Sequence, residues 1–367
     1  MNNIPFVNLD RQYDALRSEI NKAIQAVIDS KAFIQGPYVR AFEESFAAFC
    51  GCSYVIGCSN GTSALSLALE ALGVGPGDEV ITVAHTFAAT ANAIKHVGAL
   101  PVFVDIEPNA YTMDPAALAC ALTPRTKAVL PVHLYGTPCD MVQIKSATSQ
   151  RGIAILEDAA QAHGASLCGR PVGSFGDAAT YSFYPGKNLG AYGDAGAIAT
   201  NDDELARRLG KLRDHGRSSK YLHDIYGYNH RMDGIQGAVL SVKLKSLARW
   251  NARRRDLARR YDAAFADRKF KTILAPRDAV PVYHLYIVEV SNRDEVARKM
   301  EADGIATGVH YPVPLHRQES FRKDAGNLVL PTTERIAERI LSLPICGELS
   351  DAEQDRVIES FLSVARG

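Results

Sequence analysis

The chain has 367 residues, 41 basic and 41 acidic, with 47% hydrophobic and 22% charged content and no net charge. That balance argues against nucleic acid and anionic membrane as partners, and the length suits a large domain with a smaller one. No run is apolar enough to span a bilayer, no charged-then-apolar leader occupies 1–10, and the seven cysteines include no CxxC pair. A reduced, cytoplasmic protein with buried thiols and no metal site is expected.

Residues 10–29 place Tyr13, Leu16, Ile20, Ala23, Ile24 and Ile28 on one helical face. Phe33–Pro37 breaks the pattern and reads as a plain turn before a second helix over 39–49. A short strand over 54–58 feeds Ser59-Asn60-Gly61-Thr62-Ser63 and a helix over 64–72. Strand, small residues, then helix suits an anion, because free N–H groups and the positive helix end face it. Ser or Thr capping the helix is the plainer reading. A strand over 79–83 leads into His85-Thr86-Phe87 and a helix to Val97. An aromatic there can stack on a flat ring or fill core. Two more strand–helix units follow, 101–105 with 115–122 and 128–134 with 141–150, so a mostly parallel sheet with helices on both faces is predicted.

The next stretch carries the chemistry. An apolar run over 153–156 delivers Glu157 and Asp158, and a second over 178–183 delivers Tyr184-Pro185-Gly186-Lys187 on a tight turn. Such strands end at the ligand crevice of an α/β fold. A lysine there can form a Schiff base with a carbonyl cofactor while a nearby acid keeps the cofactor's ring nitrogen protonated. That pairing reads as pyridoxal 5′-phosphate (PLP) chemistry. A solvated loop lysine and a helix-capping aspartate are the bland alternatives. Glycines at 190, 193 and 196 count against the first, since they let backbone approach a ligand closely.

A helix over 203–212 precedes an irregular polar and aromatic segment, 214–233, of the length that usually serves function. The helix over 235–265 is rich in Arg, but Leu257, Tyr261 and Phe265 recur at i+4. It reads as a solvated amphipathic helix linking two domains, 1–245 and 246–367, with the N-terminal helix able to pack on the smaller. The latter reads as α+β: a strand over 283–290, a helix over 293–302, a strand over 307–311, and a final helix from Asp351.

EDAAQAHGA at 157–165 and SFYPGKNLGAYGDAGA at 182–197 resemble the DegT/DnrJ/EryC1/StrS family of sugar aminotransferases, and the likeness covers nearly the whole chain. The resemblance implies an α/β protein of PLP fold type I. Its large domain holds a mostly parallel seven-stranded sheet flanked by helices, beside a smaller C-terminal α+β domain. It implies that Lys187 holds the cofactor, Asp158 pairs with the pyridinium nitrogen and Gln161 sits by the ring hydroxyl oxygen. Gly61, Thr62, Ser63 and Ser182 would seat the phosphate and Phe87 would stack on the ring; many relatives carry Asp where Ser63 stands. Asn229 would reach the partner's cofactor phosphate in a homodimer with shared active sites. Tyr184, His310 and Tyr311 are implied substrate contacts, with Tyr221 and His223 near the nucleotide-sugar. The family's QAA is Gln236-Gly237-Ala238 here, a departure that touches helix packing only.

The implied reaction moves an amino group from L-glutamate, through the pyridoxamine form of the cofactor, to a keto-sugar on a nucleoside diphosphate in amino-sugar biosynthesis. The form of the lysine motif points to C3 of a dTDP-3-keto-6-deoxyhexose; a C4 or UDP-linked acceptor is the alternative. A PLP-dependent sugar dehydratase would carry histidine in place of Lys187. A non-catalytic PLP-fold protein predicts decay of the site, whereas Asp158, Gln161, Ser182, Lys187 and Asn229 are all present.

Overall fold

The computed structural model describes residues 3–149, 152–268 and 270–365. Helices α1 (Leu9–Ser30) and α2 (Gly36–Cys50) lead into β1 (Tyr54–Cys58), α3 (Gly61–Ala71), β2 (Glu79–Val83), α4 (Ala88–His96) and β3 (Leu100–Val104). Then come α5 (Pro115–Ala121), β4 (Thr126–Leu130), α6 (Met141–Thr148), β5 (Ala154–Asp158) and the two-residue strands β6 (Ser166–Leu167) and β7 (Arg170–Pro171). β8 (Ala178–Ser182), β9 (Gly196–Thr200), α7 (Asp203–Leu212) and the long α8 (Gly234–Phe265) follow. The remainder is β10 (Lys271–Thr272), β11 (Ala279–Val280), β12 (Tyr286–Glu289), α9 (Arg293–Ala302), α10 (Arg322–Ala325), α11 (Pro331–Arg339), β13 (Ile340–Leu343) and α12 (Asp351–Val364).

Seven strands form the main sheet in the order β1-β9-β8-β5-β4-β2-β3. Pairing is parallel from β8 through β5, β4 and β2 to β3, while β9 runs antiparallel to both β8 and β1. Every strand except β9 therefore points the same way, and the C-terminal ends of β1, β2, β4, β5 and β8 share one edge. The strands are Val-, Ile- and Ala-rich and buried on both faces, as a sheet covered by helices requires. Local signals start the helices. Asn8, Asn60, Asp114, Asp140 and Asp202 each cap a helix through a side-chain oxygen, and Ser350 with Glu353 forms a capping box at α12.

A separate antiparallel sheet, β10-β12-β13, backs a second core that joins Leu257, Tyr261 and Phe265 of α8 to Tyr286, Val288, Leu341, Leu343 and Phe361. Ile4 belongs to that core too, through a bridge to Ile305.

Three expectations need correction, and one small sheet was not anticipated. The stretch 307–311 is not a strand: only Gly308 pairs, with Ser342, and the rest forms loop around the crevice. The strand expected over 283–290 is shortened to Tyr286–Glu289, because the backbone of 282–285 is drawn off to Tyr135, Gly136 and Arg254. Nor is α8 simply solvated. Lys243, Asn251 and Arg254 are 1, 3 and 4% exposed, which composition alone could not reveal. A third small sheet, β11-β6-β7, had no periodic signal, its strands being two residues long. Gln150, the expected end of α6, lies outside the described residues.

Candidate active site

The shared strand edge assembles the site. β5 alternates its side chains across the sheet, as strands do, so the two acids at its end part company. Glu157 is fully buried beneath the sheet edge, and accepts from His133 Nε2 at 3.0 Å and from the N–H groups of Gly173, Phe175 and Gly176 at 2.7–2.9 Å. His133 Nδ1 in turn accepts the N–H of Cys139 at 3.0 Å. These donors hold the Glu157 carboxylate below its ordinary range against the opposing effect of burial. Glu157 is a structural clamp on the 173–176 turn.

Asp158 turns to the other side, 5% exposed. Its Oδ2 accepts the Thr90 hydroxyl at 2.9 Å and its Oδ1 the N–H of Ala160 at 3.2 Å; Thr90 and Thr86 hydroxyls lie 3.0 Å apart. Burial raises the Asp158 pKa, while these donors and the Lys187 charge work to lower it. Lys187 is half-buried on the turn after β8, its N–H closing on Tyr184 O at 2.8 Å. Burial pushes its amine down to about 8, with the Asp158 charge acting the other way. The lysine and the acid lie in each other's field.

The end of β1 and the start of α3 make a cradle beside them. Asn60 accepts the N–H of Ser63 at 2.8 Å, and the N–H groups of Gly61 and Thr62, at the first helical positions, have no partner among the described residues. A Cβ at Gly61 would meet Ser182 Cβ at 2.7 Å, so glycine lets α3 close on the end of β8. The Ser182 hydroxyl stands at that junction, 3.4 Å from the Tyr184 N–H. Ser63 is buried with its hydroxyl 3.0 Å from Ser59 and 3.4 Å from His230 Nδ1, turned into the protein. Ser63 thus differs from Gly61 and Thr62.

Gln161 is oriented from both ends. Its Oε1 accepts the Tyr135 N–H at 2.6 Å and its Nε2 reaches the Tyr311 hydroxyl at 3.4 Å. Tyr135, fully buried with φ +60°, donates its hydroxyl to the His310 carbonyl and accepts from His85 Nε2 at 2.6 Å. This ties the 310–316 loop to the strand edge. His310 stacks on Phe6, with ring centroids 5.6 Å apart, and bonds Ser342 Oγ at 2.8 Å. Burial and then the Lys187 charge push it down to about 4, so the ring is neutral at pH 7. Burial raises the Tyr311 hydroxyl to about 12. Phe87, 57% exposed, faces Tyr311 with centroids 5.8 Å apart, and Tyr184 is also exposed. His163 packs against Phe46, Tyr181 and Phe183.

The structure therefore links Phe87, Tyr311, Gln161 and His310 through direct contacts and Tyr135, sets Lys187 in the fields of Asp158 and His310, and brings Gly61 against Ser182 at the end of β8. It leaves Tyr221, His223 and Asn229 outside this group, on the exposed 214–233 segment. There His223 Nδ1 bonds His215 O at 2.7 Å, and Arg231 pairs with Asp214 at 3.2 Å. Thr90 and Tyr135 were missed by the sequence reading. Thr90 lies three residues beyond Phe87, in the first turn of α4; Tyr135 depends on contacts from positions 26, 50 and 175 residues away.

A half-buried lysine, an acid behind it and a helix end with unpaired N–H groups fit PLP, and fold and site together define a fold type I aminotransferase that uses this cofactor. The chain belongs to the DegT/DnrJ/EryC1/StrS aminotransferase family, whose model matches residues 14–362. It is 45% identical to a "Pleiotropic regulatory protein" of Geobacillus stearothermophilus, over 99% of each chain. It is 44% identical to a dTDP-3-amino-3,4,6-trideoxy-alpha-D-glucose transaminase of Streptomyces venezuelae, over 97% of this chain and 95% of that one. Identity to a UDP-N-acetyl-3-dehydro-alpha-D-glucosamine 3-aminotransferase of Acidithiobacillus ferrooxidans is 43%, over 96% of each. Among solved structures, S. venezuelae DesV in complex with a ketimine intermediate superposes with a TM-score of 0.96 at 43% identity, over 98% of each chain. The Bacillus subtilis protein NtdA with bound cofactor PMP superposes with a TM-score of 0.93 at 34% identity, over 99% of this chain and 85% of that one.

Proposed function

We propose that this enzyme transfers an amino group from L-glutamate to C3 of a 3-keto-6-deoxyhexose carried on dTDP. The observation that carries the transaminase reading is Lys187, half-buried at the crevice and in the field of the buried Asp158. The choice of C3 is supported by the activities of the Streptomyces and Acidithiobacillus relatives, both of which concern nitrogen at carbon 3. Those two names divide on the nucleotide, and the form of the lysine motif favours dTDP.

Bound PLP supplies an electron sink for the carbon that loses its proton. Gly61, Thr62 and Ser182 would hold its phosphate, with Ser63 supporting the helix end. Phe87 would cover one face of the ring, Gln161 Nε2 would donate to the ring hydroxyl oxygen, and Lys187 would hold the carbonyl carbon. Asp158 keeps a proton on the ring nitrogen, and Thr90 with the Ala160 N–H keeps the carboxylate aimed. Lys187 Nζ takes the α-proton of the amino donor and delivers one to the sugar carbon that gains nitrogen; an amine near pH 8 suits both tasks. Tyr184, His310 and Tyr311 border the substrate's approach, and Tyr135 fixes the loop that carries the last two.

Tyr221, Leu222 and Tyr226 are 79, 65 and 98% exposed in the segment that also presents Asn229. Large apolar side chains left exposed on one segment suit an interaction surface, assigned to a second copy, with Asn229 reaching the partner's phosphate seat and Tyr221 and His223 near the bound nucleotide-sugar. The division at 245/246 is kept as functional, a cofactor-binding part and a smaller closing part, with α8 continuous across it. No helix among the described residues is long and apolar enough to cross a membrane, and the seven cysteines are unpaired; thiols of that kind suit a reducing cytoplasm. The test is an acceptor panel: enzyme, PLP and L-glutamate with dTDP-3-keto, dTDP-4-keto and UDP-linked 3-keto sugars, products resolved by NMR. Turnover only with a 4-keto or UDP-linked acceptor would contradict the assignment.

A further inference from the structure

Beneath the Lys187 turn, α8 carries a buried polar stripe that the chemistry above does not use. Lys243, Asn251 and Arg254 line one face of the helix, together with Leu247, at spacings of three and four residues. Lys243 donates to the carbonyl of Gly190, three residues beyond Lys187. Arg254 Nη1 donates to the carbonyls of Tyr283, His284 and Ile345 at 2.9–3.2 Å. Asn251, between them, donates Nδ2 to His163 O at 2.7 Å, which leaves its Oδ1 to accept Asn188 Nδ2 at 3.0 Å. The second hydrogen of that Asn188 amide goes to Val282 O, also at 3.0 Å.

With both amide hydrogens committed, Asn188 Oδ1 is the atom 3.2 Å from His284 Nδ1. An amide oxygen only accepts, so His284 Nδ1 carries the hydrogen. A one-way chain results: His284 donates to Asn188, Asn188 to Asn251, and Asn251 to the carbonyl of His163. Asn188 is 2% exposed and follows Lys187 directly; His163 lies two residues beyond Gln161. Burial, followed by the Lys187 charge, holds His284 well below its ordinary pKa, in keeping with a neutral donor.

We propose that His284 and Asn251 are positioning residues for Lys187, acting through Asn188 to lock the lysine's turn against α8 and the Gln161 loop. The turn needs such a lock. It projects beyond the end of β8 between Gly186 and Gly190, and a reacting group displaced by about 1 Å can lose about a hundredfold in rate.

The inference rests on Lys187 holding the cofactor, and Lys187→Ala is the control: a wild-type visible band in that variant would sink the underlying reading itself. His284→Leu removes the donor at similar volume, and His284→Asn restores one near the Nδ1 position. Apoenzyme carrying His284→Leu should capture PLP on the lysine about tenfold more slowly than wild type, and with PLP loaded its kcat should fall about tenfold with both KM values within about threefold. The pH midpoint of capture should move away from the wild-type value, expected near 8, because a displaced lysine changes its burial and its distance from Asp158. His284→Asn should recover capture rate and kcat to within about threefold. If His284→Leu does not fold, Asn251→Leu is the second variant, with the same slowed capture expected. Given a normal control, wild-type capture and midpoint in the Leu variants overturn the proposal. So does an Asn variant as impaired as His284→Leu, or a change confined to Tm and KM.

Discussion

Lys187 and Asp158 are each made costly by burial in their charged forms, and each lessens the other's cost. The folded-state pKa of Lys187, about 8, lies below the ~10.4 of an unfolded lysine. The folded apoenzyme therefore binds fewer protons than the unfolded chain between those values. This group's contribution to stability is least favourable below pH 8 and improves as pH climbs toward about 10.4. Lys187→Met should flatten that part of the apoenzyme's stability–pH curve, though not entirely, since burial brings Lys243 down to about 8 as well. Urea denaturation at two pH values inside the window measures it, and an unaltered slope in Lys187→Met would contradict the assignment. At Asp158 the expectation is kinetic. Asp158→Asn keeps the shape but cannot hold a proton on the ring nitrogen, so kcat should drop by about a hundredfold or more with PLP still bound. Thr90→Val removes one of the two hydrogen bonds that orient the carboxylate and should cost about tenfold in kcat, with KM values little changed.

At the scale of elements, the site is the meeting of five strand ends, and its tightest joint is α3 against β8. Gly61→Ala places a Cβ 2.7 Å from Ser182 Cβ and 3.2 Å from its Cα, so backbone has to move. The expected outcome is PLP affinity weakened by about tenfold or more, read by equilibrium dialysis, with most of the fold's stability kept. Much of this architecture was legible. The periodicity of α1, the helix start at 203, and the apolar runs before Asp158 and Lys187 lie in the local sequence, and the elements begin within a few residues of where those signals put them; α3 is capped by Asn60, where Ser or Thr was expected. What stayed illegible depends on long-range contacts. The 307–311 stretch has a strand's composition, yet Tyr135 takes the His310 carbonyl and leaves one bridge. Arg254 looks like one more charge in a basic helix, until three carbonyls from two distant segments converge on it. The separate fates of Glu157 and Asp158 were implicit in strand alternation. Which of them faces the crevice was suggested by family resemblance.

For the whole molecule, α8 is the shared beam. Its first half packs on α1 and α2, and its last two turns supply Leu257, Tyr261 and Phe265 to the second core. The exposed aromatic segment around Asn229 adds the expectation of a second copy. Lys187→Ala and Asn229→Ala, each impaired as a homodimer, should partly restore one another when combined, because one of the two shared sites in the mixed dimer then keeps both residues intact. Isolated heterodimers without recovered activity would contradict the shared site.

The most direct test of the central claim is a spectroscopic half-reaction on purified enzyme loaded with PLP. The expected result is a visible band from the lysine-bound cofactor that bleaches with L-glutamate and returns when a dTDP-3-keto-6-deoxyhexose is added. A bleach that no 3-keto sugar reverses would contradict the proposed acceptor. Absence of the band after PLP loading would contradict the role given to Lys187.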